Sequence, residues 1–398
     1  MANKLEVCNI IKVMSLTTTA KNTKLAFWLT VTFVVVFLFG RYIFIPIAKD
    51  AYNKAFPPKN PPNPAFGLLE PLEFEPQKIL NTTPPKFTLF TKDGRLPIDL
   101  PNRATVYTYA QPVFSYEAGK RASIDAGKLG FSDTSLSTSL KGNEYRWVDP
   151  ATGASLFINT TTSELEMKVP AYSLFGSFKP GSINRVTAPS TAKNILQDIG
   201  RFWDPLYAEG TQTVEMGVIR NNGISYTAFQ GEAEVARVDF FRSINNIPIV
   251  GPIYKEGLIR LIVGNPNKED AIKRSPYIYY NVREIVQNSQ ATYPLLPIST
   301  VWEEVAKGNG VISFVRPATQ SIFEEYKPIR ITEVLITDVF LAYYDDSREQ
   351  PYLQPIYVFE GNYTGPDNTK GNIAIYYPAV SGEYVKGTKS EVESNLNQ

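Results

Sequence analysis

The chain has 398 residues, of which 43% are hydrophobic and 13% aromatic, so it can bury a sizeable core and is not a disordered stalk. It contains no histidine, which excludes Ser-His-Asp and Cys-His nucleophiles, imidazole metal sites and histidine acid–base catalysis. The net charge is +1, but residues 60–398 carry 32 basic and 37 acidic side chains. This acidic excess argues against nucleic-acid binding, which requires a basic surface.

The first element along the chain is an apolar run, and we predict that residues 25–48 form a transmembrane helix. Residues 25–40 are uncharged, and residues 42–48 extend the run beyond Arg41. At a rise of ~1.5 Å per residue this segment is long enough for a ~30 Å hydrocarbon core. A cleaved signal peptide is the main alternative, but Ala48 has no small residue three positions earlier. The membrane is therefore one predicted partner.

The orientation of this helix follows from cysteine usage, because lysines and arginines are nearly balanced on its two sides. The only cysteine, Cys8, lies in the short N-terminal tail. A chain without thiols beyond the membrane suits an oxidising space. We predict a single-pass protein of the cell membrane, with a cytoplasmic tail over residues 1–24 and the globular region outside the cytoplasm.

A proline-rich segment follows, with nine prolines between Phe56 and Lys86. Proline disfavours helix interiors and donates no ladder hydrogen bond, which predicts an extended stalk over residues 49–86. The alternative for residues 66–74 is an ordered arm along the first domain, because their apolar side chains need cover. The polar residues 386–398 are predicted to form a tail.

The globular region shows a loose three-fold rhythm in which one short helix precedes several strands. The predicted units are residues 87–186, 187–290 and 291–385. Their helices are expected at residues 114–129, 191–203 and 299–307, where apolar residues recur at helical spacing. Asn222-Gly223 is the clearest hairpin turn among the alternating strands. The predicted fold class is α+β: one transmembrane helix, then about three units of a helix packed on an antiparallel sheet.

Short motifs in the second and third units carry a family resemblance. They are VDFFR at 238–242, IPIVG at 247–251, VWEE at 301–304, VFLAYY at 339–344 and QPIYVFEG at 354–361. Over residues ~190–380 the chain resembles the PepSY-like domains of extracytoplasmic regulators of the YycH, YycI and YpeB type. The resemblance implies helix-on-antiparallel-sheet units, and its motifs are structural, so it transfers no catalytic residue.

One catalytic pattern occurs, since Ser190 and Lys193 match the S-x-x-K spacing of penicillin-recognising acyl enzymes. Such a two-residue pattern arises by chance in a chain of this length, and the companion S-D-N and K-T-G elements are missing. We expect Ser190 or Thr191 to cap the N-terminus of the second helix instead.

Carboxylates are the remaining chemical groups. Adjacent acidic pairs occur at residues 303–304, 324–325 and 345–346, but neighbouring side chains point apart and favour solvated faces over a two-carboxylate site. Asp345, Asp346 and Glu349 can hold a calcium ion weakly, and a simple hairpin connection explains them equally well. We predict no metal and no other cofactor.

Tyrosines crowd the third unit, where they suit either half-buried sheet faces or a recognition surface. The residues predicted for a partner-binding surface are Tyr343, Tyr344, Tyr376 and Tyr377. The predicted function is an extracytoplasmic interaction or regulatory protein without catalytic activity, with an envelope or membrane protein as partner. The alternatives are a cell-envelope hydrolase or acyl enzyme that uses Ser190 and Lys193 or carboxylates, and a structural envelope protein.

Overall fold

The computed structural model describes residues 27–34, 37–38, 41, 61–112, 115–132, 142–265, 274–346 and 350–387. Two compact units are distinguished, Met1–Pro61 and Pro62–Gln398. All strands and all helices named below belong to the second unit.

The prediction of a transmembrane helix over residues 25–48 is contradicted. The helical residues described there are 27–34 and 37–38, and no described helix combines the length and the apolar composition that a membrane crossing requires. An uncharged run is a necessary condition for a span, but the helix must also continue for ~20 residues. The predicted single-pass topology and the localisation built on it are corrected by this finding. The tail over residues 1–24 and residues 49–60 lie outside the described residues.

Seventeen strands are found in the described chain. They are β1 (Lys86–Leu89), β2 (Arg103–Tyr109), β3 (Glu144–Val148), β4 (Ser155–Asn159), β5 (Leu165–Lys168), β6 (Gln212–Arg220), β7 (Gly223–Tyr226), β8 (Val235–Phe240), β9 (Arg242–Ile244), β10 (Ile247–Val250), β11 (Ile259–Gly264), β12 (Tyr277–Tyr280), β13 (Ile285–Pro294), β14 (Val311–Pro317), β15 (Glu333–Tyr344), β16 (Tyr352–Thr364) and β17 (Lys370–Pro378).

The α-helices whose bounds are described in this unit are short. They are α1 (Ala118–Lys128), α2 (Ala171–Leu174), α3 (Thr187–Asp198) and α4 (Ile298–Ala306). Glycines with positive φ follow α1 and α4, Gly130 at 91° and Gly308 at 90°, and this left-handed backbone ends each helix. The helices predicted at 114–129 and 299–307 therefore lie where expected, to within a few residues.

The first sheet has eight antiparallel strands in the order β3-β4-β5-β12-β11-β8-β6-β7. Side chains alternate between its faces, and one face is apolar, with Leu156, Met167, Leu261 and Ile278 among its buried residues. Helices α1 and α3 contribute buried alanines and Leu196 to the same core. The core of this sheet is thus covered by helices on one side.

The second sheet has nine strands and is organised around the long antiparallel pair β15 and β16. Strand β17 continues the sheet from β16, and β14 pairs with β17. Strands β1 and β10 pair in parallel with opposite ends of β15. Helix α4 packs Val301 and Val305 into the core of this sheet.

The prediction of three separate helix-on-sheet units is wrong. Strand β5, from the predicted first unit, pairs with β12, from the second, and the two units share one sheet. Strand β2 of the first unit pairs instead with β13 and β16, and β10 of the second pairs with β15. Apolar periodicity identifies a strand locally, but the pairing between strands is a long-range property that the period does not encode. The units implied by the PepSY resemblance are likewise not the ones observed.

Residues 62–86 contact the second sheet along much of their length. Asn63 pairs with Thr292, and Leu69 pairs with Val385 and is fully buried. The ring of Phe74 lies 4.8 Å from that of Tyr344, edge to face. Leu69 and Phe74 are therefore covered by the domain itself, whereas Leu68 and Leu80 stay 40% and 56% exposed.

Candidate functional site

A cleft of about 1000 Å³ opens where the two sheets meet. Its walls are the cleft-facing side of α1, the loop at residues 159–163, the loop at residues 199–203, the segment 280–284, and the residues that follow β2. With Gln350 and Pro351, which also line it, six separate stretches of sequence build the cleft. Its volume lies at the upper end of the ~300–1,000 Å³ typical of ligand sites.

Arg201 fixes one side of the cleft. Its Nη1 donates to the carbonyl oxygen of Ser163 at 2.5 Å, and its Nη2 donates to Asp125 Oδ2 of α1 at 3.1 Å. Its guanidinium also lies 5.3 Å from the ring centroid of Tyr280. One half-buried side chain thus joins α1, the 159–163 loop and β12.

Arg283 joins the wall segments on the opposite side of the cleft. Its guanidinium stacks 3.9 Å from the ring centroid of Tyr109. Its Nη1 donates to the carbonyl oxygen of Gln350 at 2.9 Å, and its Nη2 donates to that of Asp346 at 3.2 Å. The end of β2 and the approach to β16 are therefore held together.

A buried ionic cluster lies beneath the Tyr109 side of the cleft. Arg242 donates through Nη1 to Asp204 Oδ2 at 2.8 Å and through Nη2 to Asp345 Oδ2. The hydroxyl of Tyr109 donates to the other oxygen of Asp345 at 2.8 Å. Burial alone lowers the pKa of Arg242, but Asp345, Tyr207 and Asp204 outweigh it and raise that pKa above its ordinary value. Every charge in the cluster is paired, as buried charges require.

Asp345 and Asp346 were predicted to lie in a solvated loop able to hold calcium weakly. The structure buries both, with 1% and 4% of their surface exposed, and Asp345 accepts from Arg242 and Tyr109 rather than facing an ion. Glu349 lies outside the described residues. Within the described chain, no group of three or more His, Cys, Asp or Glu side chains is placed to hold a metal ion.

The tyrosines in the cleft are hydrogen-bonding groups at neutral pH. Burial, followed by the charge of Asp345, raises the pKa of Tyr109 well above its ordinary value. Burial also raises the pKa of Tyr280, against the opposing effects of Arg201, Arg242 and a hydrogen bond from Trp203. Both phenols therefore stay protonated far above neutral pH.

Trp203 is the aromatic side chain that the cleft presents to solvent. It is 49% exposed, although large aromatic residues usually bury most of their surface, and it lines the cleft next to Arg201. About half of the surface of this side chain is therefore available for contact. Sequence reasoning gave this residue no role, because it placed Trp203 at the end of the helix predicted over residues 191–203, whereas the observed helix ends at Asp198.

The tyrosines predicted as a partner surface lie elsewhere. Tyr343, Tyr344 and Tyr376 are at most 2% exposed, and their hydroxyls donate to the carbonyl oxygens of Thr105, Glu73 and Gly251. Tyr377 is half-buried against the core of the second sheet. Three of the four predicted contact residues are thus core residues. The physical reason is that both faces of this sheet are covered at their positions, so a tyrosine in an alternating strand need not face solvent.

Ser190 and Lys193 lie within α3, not at its start. Ser190 Oγ donates to the carbonyl oxygen of Thr187 at 2.8 Å, and Lys193 Nζ lies 5.8 Å from the ring centroid of Phe202. The predicted capping role is wrong, because the helix begins at Thr187, where Asn184 Oδ1 accepts from the Val186 and Thr187 amides. Neither residue lines the cleft.

Comparison with known proteins gives little context. No protein-family model matches the chain, and no curated protein matches it. A crystal structure of an uncharacterised protein from Eubacterium rectale ATCC 33656 aligns with a TM-score of 0.39 at 13% identity, over 71% of this chain and 85% of that one. A likeness of this degree supports no assignment of function.

Proposed function

We propose that this chain is a non-catalytic binding protein whose ligand lies in the cleft between the two sheets. The observation that carries the proposal is Trp203, an aromatic side chain left half exposed inside a concave site. Ligand sites are typically concave and combine exposed aromatic surface with a few positioned polar groups. Sites of this kind place their aromatic anchors where a partner can desolvate them.

The fixed walls of the cleft support the same proposal. Arg201 and Arg283 each join two or three wall segments through hydrogen bonds to backbone carbonyl oxygens and through stacking on tyrosine rings. Walls that are already ordered lose little conformational entropy when a ligand enters. The cleft is therefore organised before binding.

The titratable groups of the cleft favour binding over turnover. A general acid or base works best when its pKa lies near the working pH. The phenols of Tyr109 and Tyr280 have pKa values raised away from neutrality, and Asp125 is held in an ion pair with Arg201 at 3.1 Å. This arrangement argues against a hydrolase that uses these groups, and Ser190 and Lys193 lie outside the cleft.

The proposal is tested by calorimetric titration with a panel of oligosaccharides, peptides and nucleotides. At least one class should bind saturably to the unmodified chain, and Trp203→Ala should weaken that binding at least about tenfold, as expected for an aromatic anchor. Tyr226→Ala is the matched control, because Tyr226 is 47% exposed and lies on β7, away from the cleft. Binding that survives Trp203→Ala, or turnover of the bound compound, would contradict the proposal.

A further inference from the structure

Helix α1 presents a positively charged side to the cleft. Arg121 and Lys128 are both exposed, and both line the cleft. They stand seven positions apart, which places them two turns apart on nearly the same side of the helix, about 10 Å along its axis at ~1.5 Å per residue.

The two cations lack charged partners within the described chain. Arg121 donates from Nη2 to the uncharged hydroxyl of Ser115 at 2.5 Å, and neither Arg121 nor Lys128 forms an ion pair with a described carboxylate. The intervening acidic residue, Asp125, is neutralised by Arg201. The other carboxylate of the cleft, Glu284, belongs to the segment 280–284 and not to α1. The α1 wall therefore retains two positive charges that a ligand can meet.

The remaining polar surface is rich in hydroxyl and amide groups. Residues 159–163 form an uninterrupted Asn-Thr-Thr-Thr-Ser run along the cleft, close to Arg201, which donates to the carbonyl oxygen of Ser163. This loop is ordered by its own bonds, since Asn159 Oδ1 accepts from the amides of Thr161 and Thr162. A fixed hydroxyl-rich loop suits a ligand that itself carries many hydroxyl groups.

Trp203 supplies the complementary contact. Its half-exposed indole ring offers a flat, largely apolar face to the cleft. A pyranose ring has an apolar C–H face and hydroxyl groups around its edge, so one sugar can pack on the indole while its hydroxyls reach the loop.

From these observations we infer that the ligand is an acidic oligosaccharide, in which one sugar ring packs on Trp203 and two anionic groups of the chain meet Arg121 and Lys128. The inference rests on the proposed function of the cleft. An acidic peptide is the competing anion. A peptide, however, offers no hydroxyl-bordered apolar ring for the indole.

The test is a calorimetric titration of the full chain with three probes: an oligogalacturonate, a neutral galacto-oligosaccharide of the same length, and an oligoglutamate. The oligogalacturonate should bind at least about tenfold more tightly than the other two. Its affinity should fall with rising salt, because exposed charges are screened. Arg121→Gln and Lys128→Gln should each weaken it about fivefold, the upper range for an exposed ion pair.

Lys120→Gln is the matched control, since Lys120 is exposed on the same helix but does not line the cleft. The affinity of this variant for oligogalacturonate should be unchanged. Equal binding of the neutral probe, tighter binding of oligoglutamate, or an equal loss in Lys120→Gln overturns the inference. If the neutral probe binds as well and Trp203→Ala still abolishes binding, the inference fails while the proposed function stands. If no compound of the wider panel binds in a Trp203-dependent way, both fail.

Discussion

Arg242 and Asp345 form a hydrogen-bonded ion pair with side chains only 2% and 1% exposed, although 103 positions separate them in sequence. Arg242 begins β9, and Asp345 directly follows β15, so the pair fixes one end of the second sheet. Asp204, which also pairs with Arg242, caps the short 3₁₀ helix Pro205–Tyr207 by accepting from the Leu206 amide. The pair thus joins the base of the cleft to the loop that leads from Trp203.

Removal of the Arg242 charge should destabilise the protein strongly. In Arg242→Leu, Asp204 stays buried without its cation and Asp345 keeps only Arg283, whose Nη2 lies 3.7 Å from its Oδ1. The loss should cost about 3–5 kcal/mol of unfolding free energy. Urea unfolding measures the change. Arg220→Leu, at an exposed position ending β6, is the control and should change stability by no more than ~0.5 kcal/mol. A loss in Arg242→Leu as small as the control would show that the cluster contributes little.

Stability should fall as the pH rises above about 10, the ordinary pKa of tyrosine. Burial raises the pKa of Tyr109, Tyr207 and Tyr376 well above that value, and raises the pKa of Tyr357 to about 12. The unfolded chain therefore releases these protons at lower pH than the folded chain does, so the folded state binds more protons and alkali favours unfolding.

Tyrosinate absorbance, followed with rising pH beside far-UV circular dichroism, tests this expectation. The buried tyrosines, among them Tyr109, Tyr207 and Tyr376, should ionise only together with the loss of structure. If all 23 tyrosines ionised in one smooth step while the protein stayed folded, the burial of these phenols would be wrong.

Substitution of two glycines by alanine should change the stability of the protein in opposite directions. At Gly361 in β16 an added Cβ would lie 2.1 Å from the carbonyl oxygen of Leu335, so Gly361→Ala must displace backbone in the β15–β16 pair and should destabilise by more than ~1 kcal/mol. At Gly127 in α1 an added Cβ meets nothing within 4 Å, so Gly127→Ala should stabilise by about 0.5–1 kcal/mol. Thermal unfolding of the two variants under one set of conditions gives the comparison, and equal shifts would contradict it.

The continuity of the eight-stranded sheet can be tested by disulfide formation. Lys168 of β5 lies directly opposite Tyr277 of β12. In a Cys8→Ser background, Lys168→Cys with Tyr277→Cys should oxidise readily, because antiparallel partners lie within the ~4.4–6.8 Å Cα range of disulfides. Lys168→Cys with Ile262→Cys is the control. Ile262 lies on β11, directly opposite Tyr277, so its Cα is two strand spacings, about 9–10 Å, from that of Lys168. Equal oxidation of the two pairs would argue against this register.

Local structure was largely readable from the sequence, whereas strand pairing was not. Helices α1 and α4 lie near their predicted positions because apolar spacing and a following glycine are local signals. The hairpin turn at Asn245 and Asn246, both with positive φ, was missed although paired asparagines favour such turns. The exchange of strands between the predicted units depends on contacts between residues far apart in sequence. Apolar periodicity reports only local structure and does not predict such contacts.

The cleft was not predictable for the same reason. Its residues come from stretches as distant as Tyr109 and Pro351, and no short motif marks them. Sequence reasoning noted Asp345 but assigned it to a solvated loop, because the arginine that neutralises it lies 103 positions away. A signal was present in Arg242, a cation directly after Phe240 and Phe241 in the motif VDFFR, since a buried arginine implies a buried carboxylate partner.

Amide hydrogen exchange of the full chain with and without oligogalacturonate tests the central claim, that the cleft is the ligand site, most directly. We expect added protection in the loops at residues 159–163 and 199–203 and in the segment 280–284, with none on β7 or β14, which lie away from the cleft. Trp203→Ala should abolish the added protection. Protection confined to β7 or β14, or protection of the cleft loops that persists unchanged in Trp203→Ala, would contradict the account.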